Sequence, residues 1–349
     1  MSTGRSLADL TTFGVGGPAR HFIEANNQEE LLDAVRAVDD SGEPLFVLSG
    51  GSNVLVGDAG FNGTVVRVAG EQVTASRAGD GAVLVEVSAG TPLDALVARS
   101  VAQGWAGLEA LSGVPGLVGA APVQNVGAYG AQIGDSLLDV RVWDRREHRV
   151  SMLSSADCGF GYRDSVLKRS RQADQATGRY VVLAVRLRLT VSMLSAPVAY
   201  ADLADRLGVA NGQRAPLQDV RAAVLEVRRS KGTVFDPADP DSRSAGSFFT
   251  NPFVDASAAA RLPDEAPRHR QPDGTIKTSA AWLIQRAGFP KGFGEGPAQL
   301  SSKNTLVLTN RGGATAADIV ALAKTIQAGV QRVFGVWLEP EPVLIGVKL

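Results

Sequence analysis

Two stretches of this chain combine glycine with hydrogen-bonding side chains, a mixture suited to holding an extended, charged ligand. The first is Leu48-Ser-Gly-Gly-Ser-Asn-Val-Leu-Val56. It links two apparent strands and opens no helix. An anion there must be held by the loop's own amides, as a nest, and not by a helix N-terminus. Gly50 and Gly51 let the backbone approach such a ligand, while Ser52 and Asn53 add side-chain hydrogen bonds. Taken alone, the stretch also fits a tight hairpin. The second is Gly113-Val-Pro-Gly-Leu-Val-Gly-Ala-Ala-Pro-Val-Gln-Asn-Val-Gly-Ala-Tyr-Gly130, with five glycines and two prolines in eighteen residues. Hairpin turns do not need so much permissive backbone interleaved with amide side chains, so ligand wrapping is the better reading. No G-x-x-x-x-G-K-[ST] is present, and no acidic ribose ligand follows a G-x-G-x-x-G. A dinucleotide here is bound by another architecture.

Other chemistries are poorly supplied. The three histidines, His21, His148 and His269, lie far apart, and Cys158 is the single cysteine. No metal-ligand cluster at zinc spacing follows from these, and no metal is expected. One cysteine also excludes an internal disulfide. Ser165-Val-Leu-Lys168 has the S-x-x-K spacing of penicillin-recognising hydrolases but lacks the companion S-D-N and K-T-G motifs. A net charge of -1 argues against non-specific binding of nucleic acid. The first ten residues lack the apolar run of a signal peptide, and no segment reaches membrane-spanning length. A cytoplasmic location without membrane contact is the simplest expectation.

These groups need a scaffold, and 349 residues at 44% hydrophobic and 20% charged suffice for two or three domains. Short alternating or β-branched runs read as strands at 46–48, 53–56, 64–68, 82–88, 140–144 and 180–190. Helices are expected at 28–40, with Asn27 and Glu30 forming a capping box, and at 92–103, with Thr91 as cap and Pro92 in the first turn. The stretch from Asp236 to Arg243 is a turn-rich connector. Its acids lack calcium-loop spacing. Beyond it come helices at 279–287 and 314–334, a strand at 305–308, and a last strand at 343–347. The stripe Ile319, Leu322, Ile326, Val330 and Val333 should face a core. The class is α+β, strand-rich first and smaller and mixed after.

At the glycine loops the sequence resembles the UDP-N-acetylenolpyruvoylglucosamine reductase family, which shares the FAD-binding fold of vanillyl-alcohol oxidase. The likeness begins at Thr11-Thr-Phe-Gly-Val-Gly-Gly17 and runs through both loops. It continues in Phe160-Gly-Tyr-Arg-Asp-Ser165, Ala245-Gly-Ser-Phe-Phe-Thr-Asn-Pro252, Ala280-Ala-Trp-Leu-Ile284 and Val336-Trp-Leu-Glu-Pro-Glu341. Each block is short, but the ordered set is specific and spans nearly the whole chain. The resemblance implies a two-lobed FAD-binding domain plus a smaller α+β substrate domain, divided as 1–70, 71–230 and 231–336, with 337–349 able to return to the first lobe. It implies non-covalent FAD held at Gly50, Gly51, Ser52, Asn53, Leu55, Pro115, Gly116, Gly119, Ala120, Gln124, Asn125, Gly127, Ala128, Tyr129 and Gly130.

The family's reaction, as the resemblance implies it, has two halves: NADPH reduces FAD, then reduced flavin reduces the enolpyruvyl ether of UDP-N-acetylglucosamine to UDP-N-acetylmuramate. Arg163 matches the arginine that meets charge on the substrate carboxylate, a job suited to a planar guanidinium. Glu341 matches its acidic partner, useful there only if it carries or shares a proton. Ser247 matches the proton donor to carbon. Tyr200 resembles the substrate-closing tyrosine of the subgroup with an extra loop. Lys231 and Asn251 match positions at the diphosphate and nearby groups, and Lys277 lies in another matching block. The chain departs from the family at Pro342-Val343, where valine then arginine is usual, which bears on local strand geometry. A monomer acting on small molecules is expected. The rivals are an oxidase of the same fold and a nucleotide-binding regulator without turnover. Many such oxidases tether flavin through histidine, and neither glycine loop holds one.

Overall fold

The computed structural model describes residues 2–349, which fall into two compact units interleaved along the chain. Residues 2–5, 19–51 and 62–229 form the first; residues 6–18, 52–61 and 230–349 form the second.

The first unit contains a six-stranded antiparallel sheet. Its order is Arg149–Ser154, Leu137–Asp144, Tyr180–Val191, Ala82–Ser88 and Val73–Arg77, with the short strand Trp105–Ala106 pairing the end of Tyr180–Val191. Alternation explains it: in Ala82–Ser88, Val83, Val85 and Val87 are buried while Glu86 is exposed. A smaller sheet places Phe61–Val68 between Ala19–Ala25 and Leu45–Leu48, the last pairing in parallel. Helix Gln28–Ser41 packs its buried residues Leu31, Val35 and Val38 into the same apolar cluster as Leu45, Val66 and Val68. Asn27 Oδ1 accepts the Glu30 amide at 2.9 Å, as the sequence predicts, and Gly42 ends the helix with φ 70°. Thr91 is not the cap of the next helix, Leu93–Ala102. Pro92 takes that position, and the Thr91 hydroxyl lies 3.0 Å from Ser88 Oγ.

The second unit is built on helix Ala316–Phe334 and the aromatic trio Phe13, Phe248 and Phe249, all fully buried. Their rings meet edge to face, with centroids 6.2 Å (Phe13–Phe248) and 5.1 Å (Phe248–Phe249) apart. Ile319, Leu322, Ile326 and Val330 face this core, but Val333 is 48% exposed, so the predicted stripe ends one turn early. The final strand, Val343–Ile345, lies parallel to Val54–Val56. The strand predicted at 305–308 sits later, at Leu308–Asn310, paired with Ala298–Leu300. The reason is local: Asn304 Oδ1 accepts the Leu306 amide and its carbonyl accepts the Val307 amide, which bends the chain there. Helix Leu217–Ser230 of the first unit, absent from the sequence reading, buries Leu217, Val220, Ala223, Val224 and Val227.

Candidate active site

In the first unit the two glycine loops come together. A Cβ added to Gly50 would lie 2.8 Å from Gly116 Cα, and one on Gly119 would lie 2.5 Å from Ala89 Cβ. Side chains at either position would collide with neighbouring atoms, so these glycines are required by close approach. Beside them, the Ser49 hydroxyl is shielded from solvent and has no protein hydrogen-bond partner. An orphaned buried hydroxyl next to a glycine cradle fits a ligand rich in acceptors, such as a dinucleotide pyrophosphate. Ser49 lies one residue before the glycines that the sequence singles out, and the S-G-G-S pattern is its one signal there.

Asn125, predicted as a ligand contact, has its side chain engaged within the protein. Its Nδ2 donates to Gln132 Oε1 at 2.7 Å and to the Gly161 carbonyl at 3.1 Å, and its Oδ1 accepts the Gly134 amide at 3.1 Å. With φ 46° and 3% exposure, it clamps three segments, and the left-handed backbone suits asparagine. One clamped segment is the Gly161–Asp164 turn, which carries Arg163 at φ 53°. The Arg163 guanidinium donates from Nη2 to the Gly127 carbonyl at 2.9 Å, which fixes it against the second glycine loop. Asp164, its neighbour in the chain, pairs with Arg169. Tyr200 lies in this unit as well, with its ring edge-on to Tyr129 at 5.4 Å.

The second unit holds Ser247, Glu341 and Asn53 along adjoining backbone. Ser247 bridges Val307, Phe249 bridges Pro340, and the Glu341 amide donates to the Phe248 carbonyl at 2.8 Å. Asn53 Nδ2 donates to the Glu341 carbonyl at 3.4 Å, and the Asn53 carbonyl accepts the Val343 amide at 3.0 Å. Pro342 does not disrupt this strand: the residues on either side of it, Glu341 and Val343, make the backbone bonds, and the proline has no amide to leave unpaired. Ser247 caps no helix. Asn251 Oδ1 accepts the Ala280 amide at 3.0 Å, at the start of helix Ala280–Arg286, and Lys277 pairs in register with Phe253 and His269. Lys231 precedes Gly232, against which Asp241 and Lys303 pack. Among the described residues, no group of three or more His, Cys, Asp or Glu side chains could hold a metal, and no helix is long and apolar enough to cross a membrane.

A close-packed pair of glycine loops, an orphaned hydroxyl between strands and an arginine hooked to the second loop lie within or beside the residues that match an FAD binding domain, and the chain is an FAD-binding oxidoreductase of α+β class. Residues 19–152 match an FAD binding domain, and residues 237–345 match the C-terminal domain of UDP-N-acetylenolpyruvoylglucosamine reductase. The chain is 53% identical to UDP-N-acetylenolpyruvoylglucosamine reductase of Thermobifida fusca, over 98% of this chain and 97% of the relative. It is 50% identical to the protein of that name from Cutibacterium acnes, over 98% and 90%. The crystal structure of UDP-N-acetylenolpyruvylglucosamine reductase from Thermus caldophilus superimposes with a TM-score of 0.66 at 29% identity, covering 98% of this chain and 97% of that one. The chain belongs to the UDP-N-acetylenolpyruvoylglucosamine reductase family.

Proposed function

We propose that this protein catalyses NADPH-dependent reduction of UDP-N-acetyl-3-O-(1-carboxyvinyl)-glucosamine to UDP-N-acetylmuramate, a step in peptidoglycan precursor synthesis. It does so with Arg163, Ser247 and Glu341 as its reacting side chains, as a cytoplasmic monomer without nucleic-acid partners. The FAD-binding part comprises 1–70 and 71–230, and the substrate part 231–336. When bound, FAD would supply the two-electron hydride chemistry that links NADPH to the vinyl group. Gly50, Gly51, Ser52 and Asn53 of the first loop, with Gly116 and Gly119 of the second, would hold it; the close approach of the two loops at Gly50 and Gly119 leaves no room for a side chain at those two positions.

The protein's own residues then work on the substrate. Hydride addition drives negative charge onto the substrate carboxylate, and the Arg163 guanidinium meets that charge with a planar pair of donors. Its anchor on the Gly127 carbonyl keeps one N–H engaged and orients the rest. Glu341, in its protonated form, donates a hydrogen bond to the same developing anion. Ser247 Oγ–H delivers the proton to carbon. An alcohol is a weak acid, so it can do this only toward a strongly basic carbanion. Lys231 and Asn251 hold the diphosphate and adjacent groups, Lys277 contributes to the substrate site, and Tyr200 closes over the bound substrate.

One observation carries this reading: the Ser247 and Glu341 blocks, 94 residues apart in sequence, run side by side in one backbone ladder. Stopped-flow absorbance on Ser247→Ala tests it. Flavin bleaching by NADPH should continue at close to the parent rate, while reoxidation by the enolpyruvyl substrate slows by about 10²–10⁴-fold, the usual worth of a positioned proton donor. Equal slowing of both halves would remove Ser247 from the role.

A further inference from the structure

The second glycine loop ends in a hairpin whose turn is unusual. Ala128 pairs with Ala131, and the two residues between them, Tyr129 and Gly130, both have positive φ, 50° and 88°. That handedness matches the twist of paired strands and is ordinarily met by Asn-Gly. A tyrosine in the first position holds a bulky side chain in a backbone region that disfavours one. The reason for its presence lies across the turn. The Tyr129 ring stands at 90° to the Tyr200 ring with centroids 5.4 Å apart, the edge-to-face geometry that aromatic quadrupoles favour. Tyr129 also packs on the cluster containing Val198, Leu203 and Ala204, which brackets Tyr200 in sequence. Gly130 brings the turn backbone against the same segment: a Cβ built on it would lie 3.3 Å from Ala199 Cβ. The other end of the hairpin, Gly127, holds Arg163.

We propose that Tyr129 is a positioning residue for Tyr200: its ring holds Tyr200 oriented before the UDP-sugar arrives, so that the arginine and the tyrosine meet substrate from the two ends of one hairpin. This rests on the reading of Tyr200 as a substrate contact. Tyr200 is 38% exposed, and without the Tyr129 edge its ring would lose the edge-to-face contact that orients it. Ligand binding would then have to order the ring at its own cost.

A double-mutant cycle on FAD-loaded protein isolates the effect, with dissociation constants for UDP-N-acetylmuramate read by calorimetry. Tyr200→Ala should weaken binding by about 10-fold in the parent and by about 2-fold or less in a Tyr129→Ala background, a coupling of the size expected for an edge-to-face pair. In a Tyr129→Phe background, which keeps the ring, Tyr200→Ala should again cost its full factor. Equal costs in the parent and Tyr129→Ala backgrounds would overturn the proposal while leaving Tyr200 as a substrate contact. No effect of Tyr200→Ala in the parent would instead strike down the substrate role of Tyr200, and the proposal with it. Loss of bound FAD from Tyr129→Ala, measured as flavin released per protein, would also overturn it, since the ring would then serve the cofactor.

Discussion

The two units hold their parts of the site by different means. In the first, backbone conformation does the holding. All five non-glycine residues with positive φ among the described residues, Asp80, Asn125, Tyr129, His148 and Arg163, belong to it, and three of them lie in the loop and turn that carry the proposed site. Each such residue costs on the order of 1–3 kcal/mol, which the surrounding structure must offset. Here the Asn125 clamp and the Gly127–Arg163 bond do so. In the second unit, the Ser247 and Glu341 ladder has ordinary backbone and rests on the aromatic trio. One region is positioned by strain held in check, the other by packing. A substitution should therefore fail differently in each.

The largest effect is expected from Arg163→Lys. Lysine presents one ammonium where arginine presents a fork. It cannot hold the Gly127 carbonyl and also offer paired donors to a carboxylate. Turnover should fall by about 10²–10³-fold, the scale for losing a charge-stabilising donor, with thermal stability little changed. Steady-state kinetics near the parent values would contradict the proposed carboxylate contact. The second unit should show the reverse pattern. Phe248→Ala removes a fully buried ring between two others and should cost about 3–5 kcal/mol in urea unfolding. Activity of the surviving folded fraction should drop less than in Arg163→Lys. A stable, inactive Phe248→Ala protein would erase the contrast between the units.

Much of this arrangement could be read in the sequence, and what could not has a common cause. Helix Gln28–Ser41 announces itself through Asn27, Glu30 and Gly42, because caps are local chemistry. The glycine loops are legible because close approach excludes every other residue. Arg163, Ser247 and Glu341 are visible as motif blocks. The side-chain amide of Asn125 gave no such signal: its partners lie 7, 9 and 36 residues away, and nothing local distinguishes a clamp from a ligand contact. Helix Leu217–Ser230 was passed over although its buried residues recur at helical spacing, since it follows a stretch of turns and carries no N-terminal side-chain cap to announce it. The Thr91 assignment failed for the opposite reason, an attractive local signal overridden by a partner from Ser88.

The smallest effect concerns the anchor of the second loop. Asp94 accepts the Gly113 amide at 2.6 Å and is gripped by both terminal nitrogens of Arg221, at 2.6 and 2.9 Å, which ties the loop's first residue to helix Leu217–Ser230. Partial burial works to raise the Asp94 pKa, but the Arg221 fork and the Gly113 amide outweigh it, and the carboxyl titrates below its ordinary value. A carboxylate depressed in the folded state adds stability that is fully present above its unfolded pKa, near 4, and is lost as pH falls through the folded value. Asp94 is 39% exposed, so solvent screening holds that contribution to about 1 kcal/mol or less. Urea unfolding of the parent and of Asp94→Asn should therefore differ by that small amount at neutral pH, and the gap should begin to shrink below pH ~4 and close only at the lower pH where the folded parent's Asp94 takes up its proton. An equal gap at both pH values would mean that shape, and not charge, joins the loop to the helix. The first unit would then owe less to polar anchoring than its strained turns suggest.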